Sequence, residues 1–172
     1  MECLLVRHGP SMDREAFAEE TGKDDRYRPL STEGKQEMRE NVRGIRELVA
    51  DLDAIVTSPL TRAVQTANIL NDGYDEDIKQ KETSSLEPGR SPTKFVEWGT
   101  SNDLGSSVAL TGHKPNLNRV ATYLLTGSND PDVVHLSKGS AMKLELDSNV
   151  QSGCALLKWY LLPNQLRHFG RS

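Results

Sequence analysis

Short apolar and β-branched runs alternate along this chain with segments of helical period, and this alternation constrains the fold more than any other feature. Repeated strand–helix–strand units build a mostly parallel sheet between layers of helices. The first strand is expected over about Glu2 to Arg7. Met38, Val42, Ile45 and Val49 then recur at steps of four, three and four, one face of an amphipathic helix that Ser31 or Thr32 can cap. Asp53 to Thr57 reads as a second buried strand. Ser58-Pro59 reads as a helix start, with a capping hydroxyl and Pro at the first helical position. Leu60, Ala63, Val64, Ala67 and Leu70 give that helix an inner face, and Gly73 ends it.

Ser11 to Arg28 has no apolar period and reads as a disorder-like polar stretch. A short edge strand is expected near Ile78, and a short helix from Ser91-Pro92 through SPTKFVEWGT. Val108 to Thr111 is a further buried strand. Pro115 starts a helix faced by Leu117, Val120, Ala121 and Leu124 and closed at Thr126-Gly127. Ala141 to Leu146 alternates and Cys154 to Leu162 is apolar, so the chain ends in two strands, at least one antiparallel. The expectation is an α/β chain, a three-layer α/β/α sandwich whose mostly parallel central sheet has an antiparallel edge, in one domain over residues 1–172.

Charge narrows the function classes. Lys plus Arg number 21 against 25 Asp plus Glu, a net charge of −4, so no global positive field exists for nucleic acid or an anionic membrane, and any anion site must be local. No apolar run approaches the roughly 20 residues that cross a bilayer. The opening MECLLVRHG carries an acid where a secretory leader has basic residues, which reads as a mature cytoplasmic start. Cys3 and Cys154 lie far apart without CxxC spacing or a histidine cluster, so they read as buried thiols of a reducing compartment, and no metal is expected. His135 and His168 lack motif context and read as solvated, and Asp72, Asp75, Glu76 and Asp77 as a solvated loop.

Three polar clusters, Arg7-His8-Gly9, Ser58 to Arg62 and Gly112-His113, fall at the carboxyl ends of expected parallel strands. That edge of an open α/β sheet is where ligands bind. Neighbouring strand ends would bring two imidazoles and at least one guanidinium into one crevice, a set that suits a phosphoryl group because the planar guanidinium fork matches phosphate oxygens. Neither GxxxxGK[ST] nor GxGxxG occurs, which disfavours a nucleotide cofactor.

Leu5-Val6-Arg7-His8-Gly9, Thr57 to Ala67 (TSPLTRAVQTA) and Thr111-Gly112-His113-Lys114-Pro115 resemble, in order, three signatures of the histidine phosphatase superfamily. Arg28 to Gly34 (RPLSTEG), the Leu86 to Gly89 turn, the small insertions and the Lys158 to Leu166 tail resemble the SixA-type phosphohistidine phosphatases. The resemblance implies a phosphoglycerate mutase-like fold and a cofactor-free phosphohydrolase. In it His8 attacks phosphorus and becomes phosphohistidine, while Arg7, Arg62 and His113 bind the equatorial oxygens, His113 most effectively as a cation. Arg28 would be a fourth phosphate contact, and Ser58 with nearby amides would add hydrogen bonds.

The chain departs from the superfamily at the leaving-group acid, because Ser84-Ser85-Leu86-Glu87 puts serine where that acid often stands, with Glu87 the displaced candidate. An alkoxide needs such an acid, whereas an imidazole of conjugate-acid pKa near roughly 6.5 leaves protonated. The expected substrate is therefore phosphohistidine on a protein, as on a phosphotransfer domain of a signalling relay. The alternatives are a phosphatase of small phosphomonoesters and a non-catalytic phosphate-binding adaptor. Only Ser11 to Tyr27 and Thr83 to Gly105 can cover the pocket, leaving a mouth open to a protein side chain. Phe95 and Trp98 either pack on the domain or anchor a partner at that rim, and Lys114 is either a rim charge or a plain surface lysine. A monomer is the expectation.

Overall fold

The computed structural model describes residues 1–74, 78–129, 132–147 and 150–171. Six strands, β1 (Glu2–Arg7), β2 (Ala54–Thr57), β3 (Lys79–Glu82), β4 (Ser107–Gly112), β5 (Ala141–Leu146) and β6 (Ala155–Leu161), form one sheet in the order β3-β2-β4-β1-β5-β6. β1 to β4 are mutually parallel, and β5 runs against both β1 and β6. The helices are α1 (Arg14–Thr21), α2 (Thr32–Leu48), α3 (Thr61–Asp72), α4 (Pro92–Thr100), α5 (Asn116–Thr126) and α6 (Pro163–Phe169). This is the mixed α/β sandwich with an antiparallel edge that the alternation predicts.

The period of two in β1 explains the layers. Cys3 and Leu5 enter the core built with α4 and α5, and Leu4 and Val6 enter the opposite core built with α2, α3 and α6. β4 divides the same way, Val108 and Leu110 to one face and Ala109 to the other. A strand buried on both faces has to read as an apolar run. Met38, Ile45 and Leu70 are fully buried, and burial of such a side chain contributes about 1.5–3 kcal/mol. That outweighs the ~1 kcal/mol of a helix cap such as Ser31, whose Oγ accepts the Gly34 N–H at 2.9 Å.

Several expectations are corrected. Ser11 to Arg28 is ordered: Asp13 Oδ1 caps α1 by accepting from Glu15 and Ala16, Phe17 is buried, and residues 25–27 form a 3-10 turn. Only one buried apolar residue lies in α1, so no period exists to be read there. The helix expected at Ser58-Pro59 begins at Thr61: Ser58 Oγ stands 3.0 Å from His113 Nε2 and accepts the Leu60 N–H at 3.4 Å, ahead of the first helical residue, so no side chain caps α3. Gly73 ends α3 in right-handed conformation, while Gly127 ends α5 with φ 75°, a left-handed cap that suits glycine. α6 was not expected; its one buried residue, Leu166, packs into the α2 core. Phe95 is fully buried and its ring lies 6.3 Å from that of half-buried Trp98, so packing on the domain, not rim docking, describes this pair. Cys3 is buried, whereas Cys154 is half-buried just before β6. His135 and His168 are exposed, and Asp75 to Asp77 lie outside the described residues.

Gly34, in the first turn of α2, lets that helix touch the loop after β1, since a Cβ there would stand 1.9 Å from the Pro10 carbonyl oxygen. Backbone cannot yield as a side-chain tip can. Gly34→Ala is expected to cost about 1–3 kcal/mol or more of stability and to lower activity by shifting the loop that carries His8. Denaturant melts and turnover measured together check both effects.

Candidate active site

β1 and β4 pair in parallel with Arg7 opposite Gly112, and the ladder continues as the His8 N–H donates to the Gly112 carbonyl at 3.0 Å. Parallel neighbours sit about 4.8 Å apart, so the next residues on the two strands, His8 and His113, must adjoin. Their ring centroids are 5.0 Å apart. Thr57 of β2 pairs with Thr111 of β4, which sets Ser58 beside His113, and Ser58 Oγ lies 3.0 Å from His113 Nε2. Two strand pairings thus assemble the floor of the site from residues 50 to 105 positions apart in sequence.

The polar atoms divide into anchored and presented sets. His8 Nδ1 lies 2.7 Å from the Gly9 carbonyl, which can only accept, so Nδ1 carries the proton and Nε2 keeps its lone pair. The Gly9 N–H donates to Thr66 Oγ1 at 3.3 Å, which ties the loop to α3. Arg7 Nη1 donates to the Leu136 carbonyl at 2.7 Å. Arg62, on the first turn of α3 and buried, donates through Nη1 to the Asp25 carbonyl at 2.9 Å and through Nη2 to Asp25 Oδ2 at 3.2 Å. Arg7 Nε, Arg62 Nε and His113 Nδ1 are buried without a hydrogen-bond partner among the described residues. Buried donors are nearly always paired, so three unpaired nitrogens on His113 and on the two arginines whose charges act on both imidazoles point to an acceptor with several oxygens.

Burial is the largest influence on both imidazoles. It pushes His8 down to about 3, against the Gly9 hydrogen bond and helped by the charges of Arg62, Arg7 and Lys138. Burial, with His8, Arg62 and Arg7, pushes His113 down to about 2. The lowered values leave both rings neutral at pH 7 in the unliganded site. Burial also lowers Arg7 and Arg62, yet an ordinary guanidinium value above 12 keeps both charged.

Arg28 is buried but committed to the protein: Nε donates to Asp25 Oδ1 at 2.7 Å, and Nη1 to Ser11 Oγ at 2.5 Å and the Met12 carbonyl at 2.7 Å. Glu87 follows the 3-10 turn 84–86, half-buried, and its carboxylate has no hydrogen bond or ion pair with any described residue, either imidazole included. In the same turn, buried Ser85 pairs with Thr83 Oγ1 at 2.9 Å. Lys114 is exposed and stands 3.3 Å from the His135 ring nitrogens. Asp25 and Thr66 escaped sequence reasoning. Thr66 lies inside the TSPLTRAVQTA string, and the signal for Asp25 was its place three residues before Arg28.

The family model described as histidine phosphatase superfamily (branch 1) matches residues 3–84. An uncharacterized protein of Picosynechococcus sp. is 31% identical over 129 residues, 74% of each chain. The solved protein histidine phosphatase SixA in complex with tungstate superposes with a TM-score of 0.78 at 22% identity, over 96% of this chain and 99% of its own. A phosphoserine phosphatase from Entamoeba histolytica gives 0.66 at 14% identity, over 96% and 98%. The fold is thus shared by phosphatases of proteins and of small molecules. With the paired imidazoles and the motifs in order along the chain, this protein belongs to the histidine phosphatase superfamily, as a phosphatase with a SixA-like, phosphoglycerate mutase-like fold.

Proposed function

We propose that this phosphatase hydrolyses phosphohistidine on a partner protein, a phosphotransfer-type domain, through a covalent phosphohistidine on His8 and without a metal. The observation that carries the reading is the adjoining of the His8 and His113 rings, centroids 5.0 Å apart, with the charges of Arg7 and Arg62 acting on both and three buried nitrogens, Arg7 Nε, Arg62 Nε and His113 Nδ1, left without a hydrogen-bond partner among the described residues. His8 Nε2 attacks phosphorus in line as the P–N bond to the substrate imidazole breaks, and the departing ring takes a proton from solvent. Water then attacks the phosphoryl group; its oxygen goes to phosphorus as the P–N bond to His8 breaks, His8 leaves neutral with its Nδ1 proton in place, the water's proton goes to solvent, and inorganic phosphate is released. The two guanidinium forks and His113 hold the equatorial oxygens, whose charge the loose transition state spreads. A neutral His113 does this as an N–H donor, its other nitrogen held by Ser58.

The leaving group decides the substrate class. Asp25 is an ion-pair partner of Arg14, Arg28 and Arg62. Burial raises its carboxyl, but the Arg28 hydrogen bond and the charges of Arg62, Arg28 and Arg14 hold it below the usual range, so it is no acid at pH 7. Glu87 has no contact that would aim it at a leaving oxygen. A site without an aimed acid suits a leaving imidazole and not an alkoxide.

The test compares a phosphohistidine protein with an aryl phosphate, each with and without chelator; hydrolysis of the first, insensitive to chelator and faster, is expected, and a Mg²⁺ requirement contradicts the reading. His8→Ala is expected to abolish turnover and the acid-labile phosphate on the enzyme. Arg62→Ala is expected to lower kcat by about 10²–10³, far more than Glu87→Ala on the same substrate; the reverse order favours small esters.

The neutral state of the two imidazoles is reported by stability. Below pH 6.5 the unfolded chain protonates these rings while the folded chain does not until about 3 for His8 and about 2 for His113. The unfolded state then binds more protons, so stability falls as pH drops through this window, approaching about 1.4 kcal/mol per pH unit for each ring. Urea midpoints of wild type against His113→Asn are expected to show the steeper acid loss in wild type, and NMR of the ring protons no titration of either histidine between pH 5 and 8.

A further inference from the structure

Asp25 stands on the 3-10 turn of the segment between β1 and α2, outside the strand-end motifs, yet it makes more contacts with the site's guanidinium groups than any motif residue. Its backbone carbonyl accepts from Arg62 Nη1 at 2.9 Å and its Oδ2 from Arg62 Nη2 at 3.2 Å. Its Oδ1 accepts from Arg28 Nε at 2.7 Å, and exposed Arg14 lies 3.2 Å away. A guanidinium is a planar group with five N–H donors, and one residue on the Nη1/Nη2 edge leaves the side bearing Nε–H and the second Nη2–H. In Arg62 that Nε is buried and unpartnered. Arg7 repeats the arrangement with a different anchor, since the Leu136 carbonyl takes its Nη1 while its Nε is likewise orphaned.

We infer that Asp25 is a positioning residue: by occupying the end edge of Arg62 it turns the Nε edge toward the phosphoryl group, and through Arg28 it makes that orientation depend on the segment that borders the pocket. The inference rests on reading Arg62 as a phosphoryl ligand. Without Asp25 the buried guanidinium keeps its charge and loses its aim. A tetrahedral anion tolerates this, because it accepts donors from many directions. A trigonal phosphoryl in flight does not, because its three oxygens lie in one plane. The loss therefore falls on kcat and spares the binding of product-like anions.

The experiment uses phosphoramidate as a small P–N substrate and inorganic phosphate as inhibitor, on the full chain, with thermal melts of every variant. Asp25→Ala is expected to lower kcat at least tenfold while phosphate inhibits at least as strongly as in wild type. Added to Arg62→Ala, it is expected to deepen the loss less than twofold, since the group it aims is gone. Asp25→Asn, which keeps one side-chain acceptor and the backbone carbonyl, is expected to lose less, and it replaces Asp25→Ala if that variant no longer melts cooperatively. Wild-type kcat in Asp25→Ala, phosphate inhibition weakened in step with kcat, or losses that multiply in the double variant each overturn the inference while leaving the proposed function intact. Failure of wild type both to hydrolyse phosphoramidate and to bind phosphate overturns the reading of the site, and this inference with it.

Discussion

The register between β1 and β4 is the constraint on which the rest depends. With Arg7 opposite Gly112, the first residues beyond the ladder are His8 and His113, and nothing else in the fold needs to bring them together. A slip of one residue would turn one ring to the other face of the sheet. The slip is opposed by Cys3 and Leu5 on one side and Leu4 and Val6 on the other, all of which would exchange cores. The geometry of the site is thus secured by the burial of side chains that never approach it.

Held that closely, two imidazoles and two guanidiniums cannot all be cationic. Burial and the neighbouring charges settle the matter in favour of the arginines, whose ordinary pKa lies far above that of histidine. Division of labour follows: the arginines carry the charge, and the histidines carry lone pairs and N–H groups. Asp25 offsets part of the guanidinium charge from the outer side, and the Leu136 carbonyl solvates the other fork.

Legibility followed from how each feature is encoded. β1, β4 and α2 are written as burial, which leaves a period or an apolar run, and they were read nearly to the residue. The motif residues His8, Arg62 and His113 were read from their strand ends; the two rings adjoin, and the Arg62 charge acts on both. What escaped leaves no apolar period in the sequence. α1 is held by an Asp13 cap and one phenylalanine, α6 by one leucine, and Asp25 by its arginines. Ser58 misled because Ser-Pro is an apt helix opening; its hydroxyl takes the Leu60 N–H and stands beside the His113 ring, and α3 starts at Thr61. Phe95 and Trp98 at a spacing of three are equally compatible with core and rim, and only the packing of α4 decides between them.

A depressed pKa has two opposite effects on a nucleophilic imidazole. It keeps the lone pair available at pH 7, yet it marks a weaker base, and weaker bases attack phosphorus less readily. For an ester substrate that would compound the want of an acid. For phosphohistidine the first step exchanges one P–N bond for another, so its cost is small, and the burden moves to the second step, in which His8 must depart. There a weakly basic imidazole is the better leaving group. On the proposed reaction, the same burial that makes His8 a reluctant nucleophile favours the hydrolysis step, and it asks of the substrate only a leaving group that needs no aimed acid, as an imidazole is.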